Sequence, residues 1–193
     1  MRSRGDMRWA LGVLVMSLLG IGVVSPCTAQ DTGIADTPEI TLPEVPASAQ
    51  VLGLYFTPPS DAAKAVIDAI EHSHTEVLVQ AYGFTHAAMA QALTRAHARG
   101  VKVQVLLDEK SEFTNRYVID LLREANVPMR LDGQHAIAHN KVMIIDAQTV
   151  ITGSYNFTNA AQSRNAENLL VLGSAELALN YKNNWLKHWA HSR

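Results

Sequence analysis

The chain has 193 residues, with 16 basic and 18 acidic side chains and a formal net charge of −2 at pH 7. This length favours a single domain, and the charge balance excludes a strongly basic protein that binds nucleic acid through its overall charge. The single cysteine, Cys27, excludes an intrachain disulfide and a zinc site built from several cysteines.

The first 29 residues have the composition of a secretory signal peptide. Three arginines near the start precede the uncharged apolar segment 9–24, which is shorter than the roughly 20 residues that span a bilayer. We predict cleavage after Ala29, export to the periplasm or the medium, and no stable membrane anchor in the mature protein. The alternative interpretations are an uncleaved N-terminal anchor and, disfavoured by Pro26, a lipoprotein linked through Cys27.

The segment 30–49 contains three prolines among short and acidic side chains, with few large apolar groups. Such a segment cannot bury enough surface to order itself, so we predict a flexible linker. The remaining segment, 50–193, is long enough to bury a hydrophobic core and is predicted to be the functional domain.

From residue 51 onward, the apolar periodicity predicts strands that alternate with helices. In chain order these are a strand at 51–56, a helix from Ser60 or Asp61 to about Ser73, a strand at 76–84, a helix at 85–99, a strand at 101–107, a helix at about 112–126, strands near 129–131, at 141–145, at 149–152 and at 167–172, and a helix at 175–190. This alternation predicts an α/β fold with a mixed, largely buried sheet sandwiched by helices.

The segment 139–156 holds the densest group of chemically active side chains. His139 and Lys141 lie two positions apart on a predicted strand and therefore point to the same face. Histidine can attack phosphorus or donate a proton near neutral pH, and lysine can hold phosphate oxygens. Ser154 and Asn156 form a second pair, which offers a hydroxyl and an amide to the same anion. His-x-Lys occurs only once in the chain.

Two carboxylates are candidates to hold the second imidazole nitrogen of His139. Asp146 lies an odd number of positions from His139, so it faces away in a continuous strand, and we predict a structural role at the turn. Glu167 opens a later strand and can reach across the sheet, so we expect it to orient His139. Both carboxylates join His139 and Lys141 in the candidate catalytic set, although Asp146 does so only as part of the motif.

Six residues at fixed spacing resemble the HKD motif of the phospholipase D superfamily: His139, Lys141, Asp146, Gly153, Ser154 and Asn156. The segments 55–58, 81–85 and 165–168 are similar, more loosely, to its small secreted members with a single motif, the Nuc-type endonucleases. The resemblance implies a two-step mechanism without a metal. One histidine attacks phosphorus and forms a phosphohistidine, while a second histidine from another motif protonates the leaving oxygen and then activates water.

Applied to this chain, the resemblance implies that His139 is the nucleophile or the acid/base and that Glu167 positions it. It also implies that Lys141, Ser154 and Asn156 bind the substrate phosphate. Because the chain has one motif, the resemblance implies a homodimer whose active site lies on the two-fold axis. We expect no cofactor and no metal.

The predicted function is that of an exported, metal-independent phosphodiesterase that acts as a nonspecific endonuclease on DNA, with RNA as a further substrate. The motif does not distinguish nucleic acid from lipid, because their phosphodiesters are alike at phosphorus. A phospholipase D that hydrolyses phosphatidylcholine-type lipids is therefore the first alternative. A noncatalytic module that binds phosphate or nucleic acid is the second.

Other residues of interest allow more ordinary interpretations. His135-x3-His139 has the spacing of two metal ligands on a helix, but the segment is predicted to be loop and strand, so no metal site is expected. An aromatic stripe at helical spacing predicts core or dimer contact rather than base stacking: Tyr181, Trp185 and Trp189. Four basic residues are expected to be solvated, with a groove for a nucleic-acid backbone as the alternative: Lys110, Arg116, Arg123 and Arg130.

Overall fold

The computed structural model describes residues 48–193. The predicted signal peptide (1–29) and all but the last two residues of the predicted linker (30–49) lie outside the described residues. Within 48–193, no helix is both long and apolar enough to span a bilayer.

Seven strands form one mixed sheet, and helices cover both of its faces. The strands are β1 (Gln50–Thr57), β2 (Glu76–Ala81), β3 (Lys102–Asp108), β4 (Met129–Asp132), β5 (Lys141–Ile145), β6 (Thr149–Gly153) and β7 (Glu167–Gly173). The helices are α1 (Ala62–Glu71), α2 (Ala87–Ala98), α3 (Arg116–Glu124), α4 (Asn159–Ser163) and α5 (Ala175–His191). The predicted α/β fold with a mixed sheet is confirmed.

The strand order across the sheet is β1-β7-β6-β5-β2-β3-β4. Strands β2, β3 and β4 run parallel, whereas the pairs β2–β5, β5–β6, β6–β7 and β7–β1 are antiparallel. As a result, β5 and β7 begin at the edge of the sheet where the other five strands end. We call this edge the active edge.

Alternate residues of the central strands serve two separate cores. Val77 and Val79 of β2 pack with α1, α2 and α3, whereas Leu78 packs against α5. Trp185 of α5 is 1% exposed, and its indole Nε1 donates to the Val79 carbonyl at 2.9 Å. Trp189 stacks on it with ring centroids 4.8 Å apart, so the aromatic stripe belongs to the core.

Some element boundaries differ from those predicted, and buried side-chain hydrogen bonds explain the difference. The second strand was expected to continue to Phe84 but ends at Ala81. Beyond it, the wholly buried Asn115 accepts from the Phe84 N–H at 2.8 Å and donates to the Tyr82 carbonyl at 2.7 Å. The third helix begins at Arg116 instead of about residue 112, directly after Asn115, whose side chain makes these two hydrogen bonds.

Candidate active site

The predicted site residues converge at the active edge of the sheet. Lys141 is the first residue of β5, Gly153 the last of β6, and Glu167 the first of β7. Strand pairing therefore places three distant parts of the sequence side by side. An open pocket at this edge is lined by His139, Lys141, Gly153, Ser154, Asn156 and Glu167.

Lys141 is the cation of the pocket. Its Nζ donates to the His139 carbonyl at 2.8 Å and lies 5.5 Å from the centre of the Tyr82 ring. Burial lowers the pKa of Lys141, against the opposing effect of the Glu167 carboxylate. A partly desolvated ammonium group gains more from an added anion than a fully hydrated one, because less water screens the interaction.

His139 is exposed, but the backbone on both sides of it is fixed. The Ala138 N–H donates to Oδ1 of the buried Asp108 at 2.7 Å, and the Asn140 carbonyl accepts from the Tyr82 N–H at 2.9 Å. The imidazole lies against the ring of Tyr82, with centroids 4.7 Å apart and planes inclined at 58°. The backbone that carries His139 is thus fixed, while the imidazole ring remains accessible to solvent.

Glu167 has different partners from those expected. Its Oε2 accepts from the Ser154 hydroxyl at 2.6 Å, and its Oε1 accepts from the Asn165 amide at 3.1 Å. Among residues 48–193, no hydrogen bond joins Glu167 to the His139 ring, so the predicted direct contact is corrected. In this structure the carboxylate instead orders Ser154 and places negative charge near Lys141.

The segment after β6 requires a glycine and supplies two polar groups. Gly153 has a φ of +152°, and a Cβ there would lie 2.3 Å from the Asn168 carbonyl oxygen. Asn156 Oδ1 accepts from the Gly83 N–H at 3.3 Å. The amide nitrogen of Asn156 makes no hydrogen bond to another described residue, so it is available to an anion in the pocket.

Asp146 lies at the opposite end of β5 from Lys141, in the turn to β6. Its carboxylate accepts from the N–H groups of His74, Thr75 and Glu76 at 2.9, 2.7 and 3.0 Å, and from the Thr75 hydroxyl at 2.9 Å. Burial alone raises the pKa of Asp146, but these hydrogen bonds outweigh it and lower the pKa. The structure therefore removes Asp146 from the residues that can contact a substrate.

The family of the chain follows from comparison with known proteins. A family model described as "Cardiolipin synthase, PLD-like domain" matches residues 66–189, which include the whole motif. The chain belongs to the phospholipase D superfamily. With the pocket described above, this membership makes it a phosphodiesterase of that superfamily.

Relatives in the superfamily carry two kinds of name. The chain is 43% identical over 135 residues to a phospholipase D of Rickettsia conorii. The matched segment covers 70% of this chain and 68% of the relative. Among solved structures it is similar to Nuc of Salmonella typhimurium, a phospholipase D family member, with a TM-score of 0.70 and 34% identity over 76% of this chain and 97% of Nuc. NucT of Helicobacter pylori gives a TM-score of 0.69 and 28% identity, over 75% and 98% of the two chains.

Three residues of this phospholipase D-type site were not predicted from the sequence. Asp108 and Asn115 are buried and hold the backbone near His139 and Tyr82. Gln80 is 3% exposed, and its Nε2 has no partner among the described residues. It lines a pocket beside His139 on the α5 side of the sheet. A polar residue that follows or interrupts a buried apolar strand was the available signal for Asp108 and Gln80.

Of the four basic residues before the motif, the two on α3 lie close to a carboxylate, and Lys110 and Arg130 donate to backbone carbonyls. Arg116 lies 3.8 Å from Asp120, and Arg123 lies 3.9 Å from the same carboxylate, so the surface of α3 is charge-balanced. Arg130 donates to the Trp189 carbonyl at 2.6 Å and is held in place. Lysine and arginine side chains that are already paired contribute little to long-range attraction of nucleic acid.

Proposed function

We propose that the protein is an endonuclease of the phospholipase D superfamily, which cleaves DNA, and RNA as a further substrate, without a metal in the chemistry. The convergence of His139, Lys141 and Asn156 in one pocket is the observation that carries the proposal. The residues that line this pocket are polar or glycine, which suits a phosphate on a sugar backbone. The resemblance of the motif to that of the Nuc-type endonucleases supports nucleic acid as the substrate, and the similarity to Nuc and NucT extends over nearly their full lengths.

In the proposed first step, one bond to phosphorus forms and one bond to phosphorus breaks. The neutral imidazole of His139 attacks phosphorus, a P–N bond forms, and the P–O bond to the leaving oxygen breaks. The leaving oxygen takes its proton from a second copy of His139. Lys141 and Asn156 offset the charge on the non-bridging oxygens, which is the largest single contribution in many such reactions.

The proposed second step restores the enzyme. The second imidazole, now neutral, removes a proton from water, and the resulting hydroxide attacks the phosphorus of the phosphohistidine. The P–N bond breaks, the phosphate product leaves, and both imidazoles return to their starting protonation states. One imidazole cannot perform both roles at the same phosphorus, so the mechanism needs two chains.

An apolar stripe on β1 supports a homodimer as the source of the second imidazole. Val51, Leu54 and Phe56 are 58%, 53% and 58% exposed, and their pairing with Leu172, Leu170 and Asn168 of β7 places them on one face of an edge strand. Strand β1 ends at Thr57, which is paired with Glu167 of the pocket. Exposed apolar patches of this kind commonly mark contacts between proteins. A two-fold contact here brings the pockets of two chains toward each other.

Plasmid nicking tests the proposal directly. The purified protein is expected to nick supercoiled plasmid in excess EDTA, whereas His139→Ala loses about 10⁴-fold or more in rate. His74→Gln, an exposed substitution at the opposite edge of the sheet, serves as the matched control and keeps full activity. Survival of cleavage in His139→Ala would overturn the role of His139. A protein that binds DNA but is never labelled by a ³²P substrate would instead indicate a noncatalytic module.

A phospholipase D that acts on phosphatidylcholine-type lipids is the second candidate function. Its support is the 43% identity to a relative that is named phospholipase D, together with the apolar stripe, which can also contact a lipid surface. Parallel assays with plasmid, RNA and phosphatidylcholine vesicles separate the candidates. Choline release without nicking would replace the first proposal by the second.

Export to the periplasm or the medium remains a proposal based on residues 1–29. The mass of the mature protein tests it in a bacterial host that processes signal peptides. We expect an N-terminus at Gln30, and an intact N-terminus in the purified protein contradicts cleavage.

A further inference from the structure

Three histidines surround one buried carboxylate at the active edge, away from the catalytic pocket. Asp132 is the last residue of β4, His135 lies in the loop that follows, and His188 and His191 lie three positions apart at the end of α5. Asp132 Oδ2 lies 2.7 Å from His188 Nδ1, and Oδ1 lies 3.3 Å from His135 Nδ1 and 3.2 Å from His191 Nε2. We call these four residues the Asp132 cluster.

The Asp132 cluster brings three imidazoles to one buried carboxylate. The Asp132 side chain is fully buried and also accepts from the Gln134 N–H at 3.2 Å. The three imidazole rings lie close to one another, with pairwise centroid distances of 4.9, 5.5 and 5.2 Å. The cluster therefore offers several nitrogen donors and an oxygen donor in one place.

One nitrogen from each histidine and an oxygen of Asp132 lie within 4.8 Å of one another. In a tetrahedral zinc site with bonds of about 2.0–2.2 Å, the ligand atoms are about 3.3–3.6 Å apart. Small rotations of the partly exposed histidines therefore suffice to reach that geometry. Three imidazoles and one carboxylate are also a donor set that suits Zn²⁺ and related first-row divalent ions.

We propose that the Asp132 cluster binds one divalent transition-metal ion per chain, with Zn²⁺ as the preferred ion. Asp132 and His188, with side chains 0% and 17% exposed, form the less exposed half of the site. His135, with its side chain 46% exposed, and His191, with its side chain 29% exposed, form the half through which the ion enters. All four ligand positions are filled by protein, as in a structural site.

The bound ion joins three parts of the chain. Asp132 belongs to the sheet, His188 and His191 to α5, and His135 to the loop that continues to His139. The ion thus fixes the loop at one end, while the hydrogen bond from Ala138 to Asp108 fixes it near the other. The metal does not contact the reacting atoms, and the proposed cleavage chemistry proceeds without it.

Metal titration of tag-free protein tests the site. After removal of metals with a chelator and dialysis, we expect Zn²⁺ to bind with a stoichiometry of one per chain in calorimetry and to raise the thermal midpoint, because only the folded state offers all four ligands. Co²⁺ should give the visible absorption of a four-coordinate ion. His135→Gln and His191→Gln each remove a direct ligand. Loss of a residue that only hydrogen-bonds to a metal ligand lowers metal affinity by up to about 100-fold, so loss of the ligand itself should lower the affinity by about 100-fold or more.

His74→Gln is the control, because it removes an exposed histidine from the opposite edge of the sheet, and it should leave the affinity unchanged. Asp132→Asn alters a buried residue and can fail to fold, so the two histidine variants decide, with circular dichroism as the check on folding. Absence of stoichiometric uptake, or equal affinity in the wild type and both histidine variants, overturns the proposal. Because the readout is binding, the outcome does not depend on the substrate of the enzyme.

Discussion

Single residues in the turn between β5 and β6 show how much of the motif is structural. Asp146 and Ala147 both have a φ of +53°, and Gln148 closes the turn by donating to the Ile145 carbonyl at 3.1 Å. A left-handed conformation costs a residue with a Cβ about 1–2 kcal/mol. Asp146 offsets this cost with its hydrogen bonds to residues 74–76, whereas Ala147 has no comparable compensation among the described contacts.

Replacing Ala147 with glycine is therefore expected to stabilise the protein. Relief of the left-handed backbone outweighs the added chain entropy of glycine, so the free energy of unfolding should rise by about 0.5–1 kcal/mol. Urea denaturation measures the change. Ala98→Gly, in the exposed last turn of α2, is the control and should lower stability by up to about 1 kcal/mol. Equal destabilisation by both changes contradicts the strain at Ala147.

The lowered pKa of Asp146 predicts a specific pH dependence of stability. Because its pKa is lower in the folded than in the unfolded state, its ionised form stabilises the fold above the unfolded pKa of about 4. That contribution is lost as the pH falls through the acid range toward the folded pKa. Asp146→Asn should lower stability at pH 7 by about 2 kcal/mol and lose less on acidification than the wild type. Parallel curves for the two proteins from pH 7 to pH 3 argue against this assignment.

At the level of elements, the loop from β4 to β5 carries His139 and depends on Asp108. Asp108→Ala removes the acceptor for the Ala138 N–H and leaves that group unsatisfied. We expect a fall of about 10–100-fold in kcat with little change in KM, because His139 is displaced while phosphate binding by Lys141 is preserved. Asp108→Asn keeps an oxygen at the same position and should restore most of the activity. Equal loss in both variants contradicts a positioning role.

Most strands and helices were predictable from local periodicity, since their apolar residues face a core. The exceptions have non-local causes. Thr85 and His86 donate to the Phe157 carbonyl, which delays the start of α2 to Ala87. The short α4 has little apolar periodicity, and it is capped by Thr158, whose hydroxyl accepts from the Ala161 N–H.

The candidate site was predictable to a similar extent and for similar reasons. Fixed spacing on strands locates Lys141 and Gly153, and strand pairing then brings Glu167 to them. The partner of Glu167 was not predictable, because the choice between Ser154 and His139 depends on loop geometry. His188 and His191 were not linked to Asp132 in sequence, since only the packing of α5 on the sheet brings them together.

At the scale of the whole molecule, the proposed homodimer makes activity depend on assembly. Leu54→Asp places a charge in the centre of the apolar stripe and should yield a folded monomer without nicking activity. Light scattering and plasmid nicking, each performed over a range of protein concentration, check the two effects. Leu179→Asp changes a leucine that is equally exposed, on α5, and should leave both the mass and the activity unchanged. A fully active monomer would remove the need for a second His139.

Strand β5 gives the spacing of the motif a geometric meaning. Lys141 lies at one end of the strand and Asp146 just beyond the other, and the residues between them cross the sheet at about 3.3 Å each. The number of residues between Lys141 and Asp146 therefore sets the distance from the substrate pocket to the anchor on the far side of the sheet. Related chains should accept different apolar residues at these positions but not a different number of residues between them. In a distant relative, an intact interval that ends in another turn-forming anchor indicates a working pocket better than the aspartate itself does.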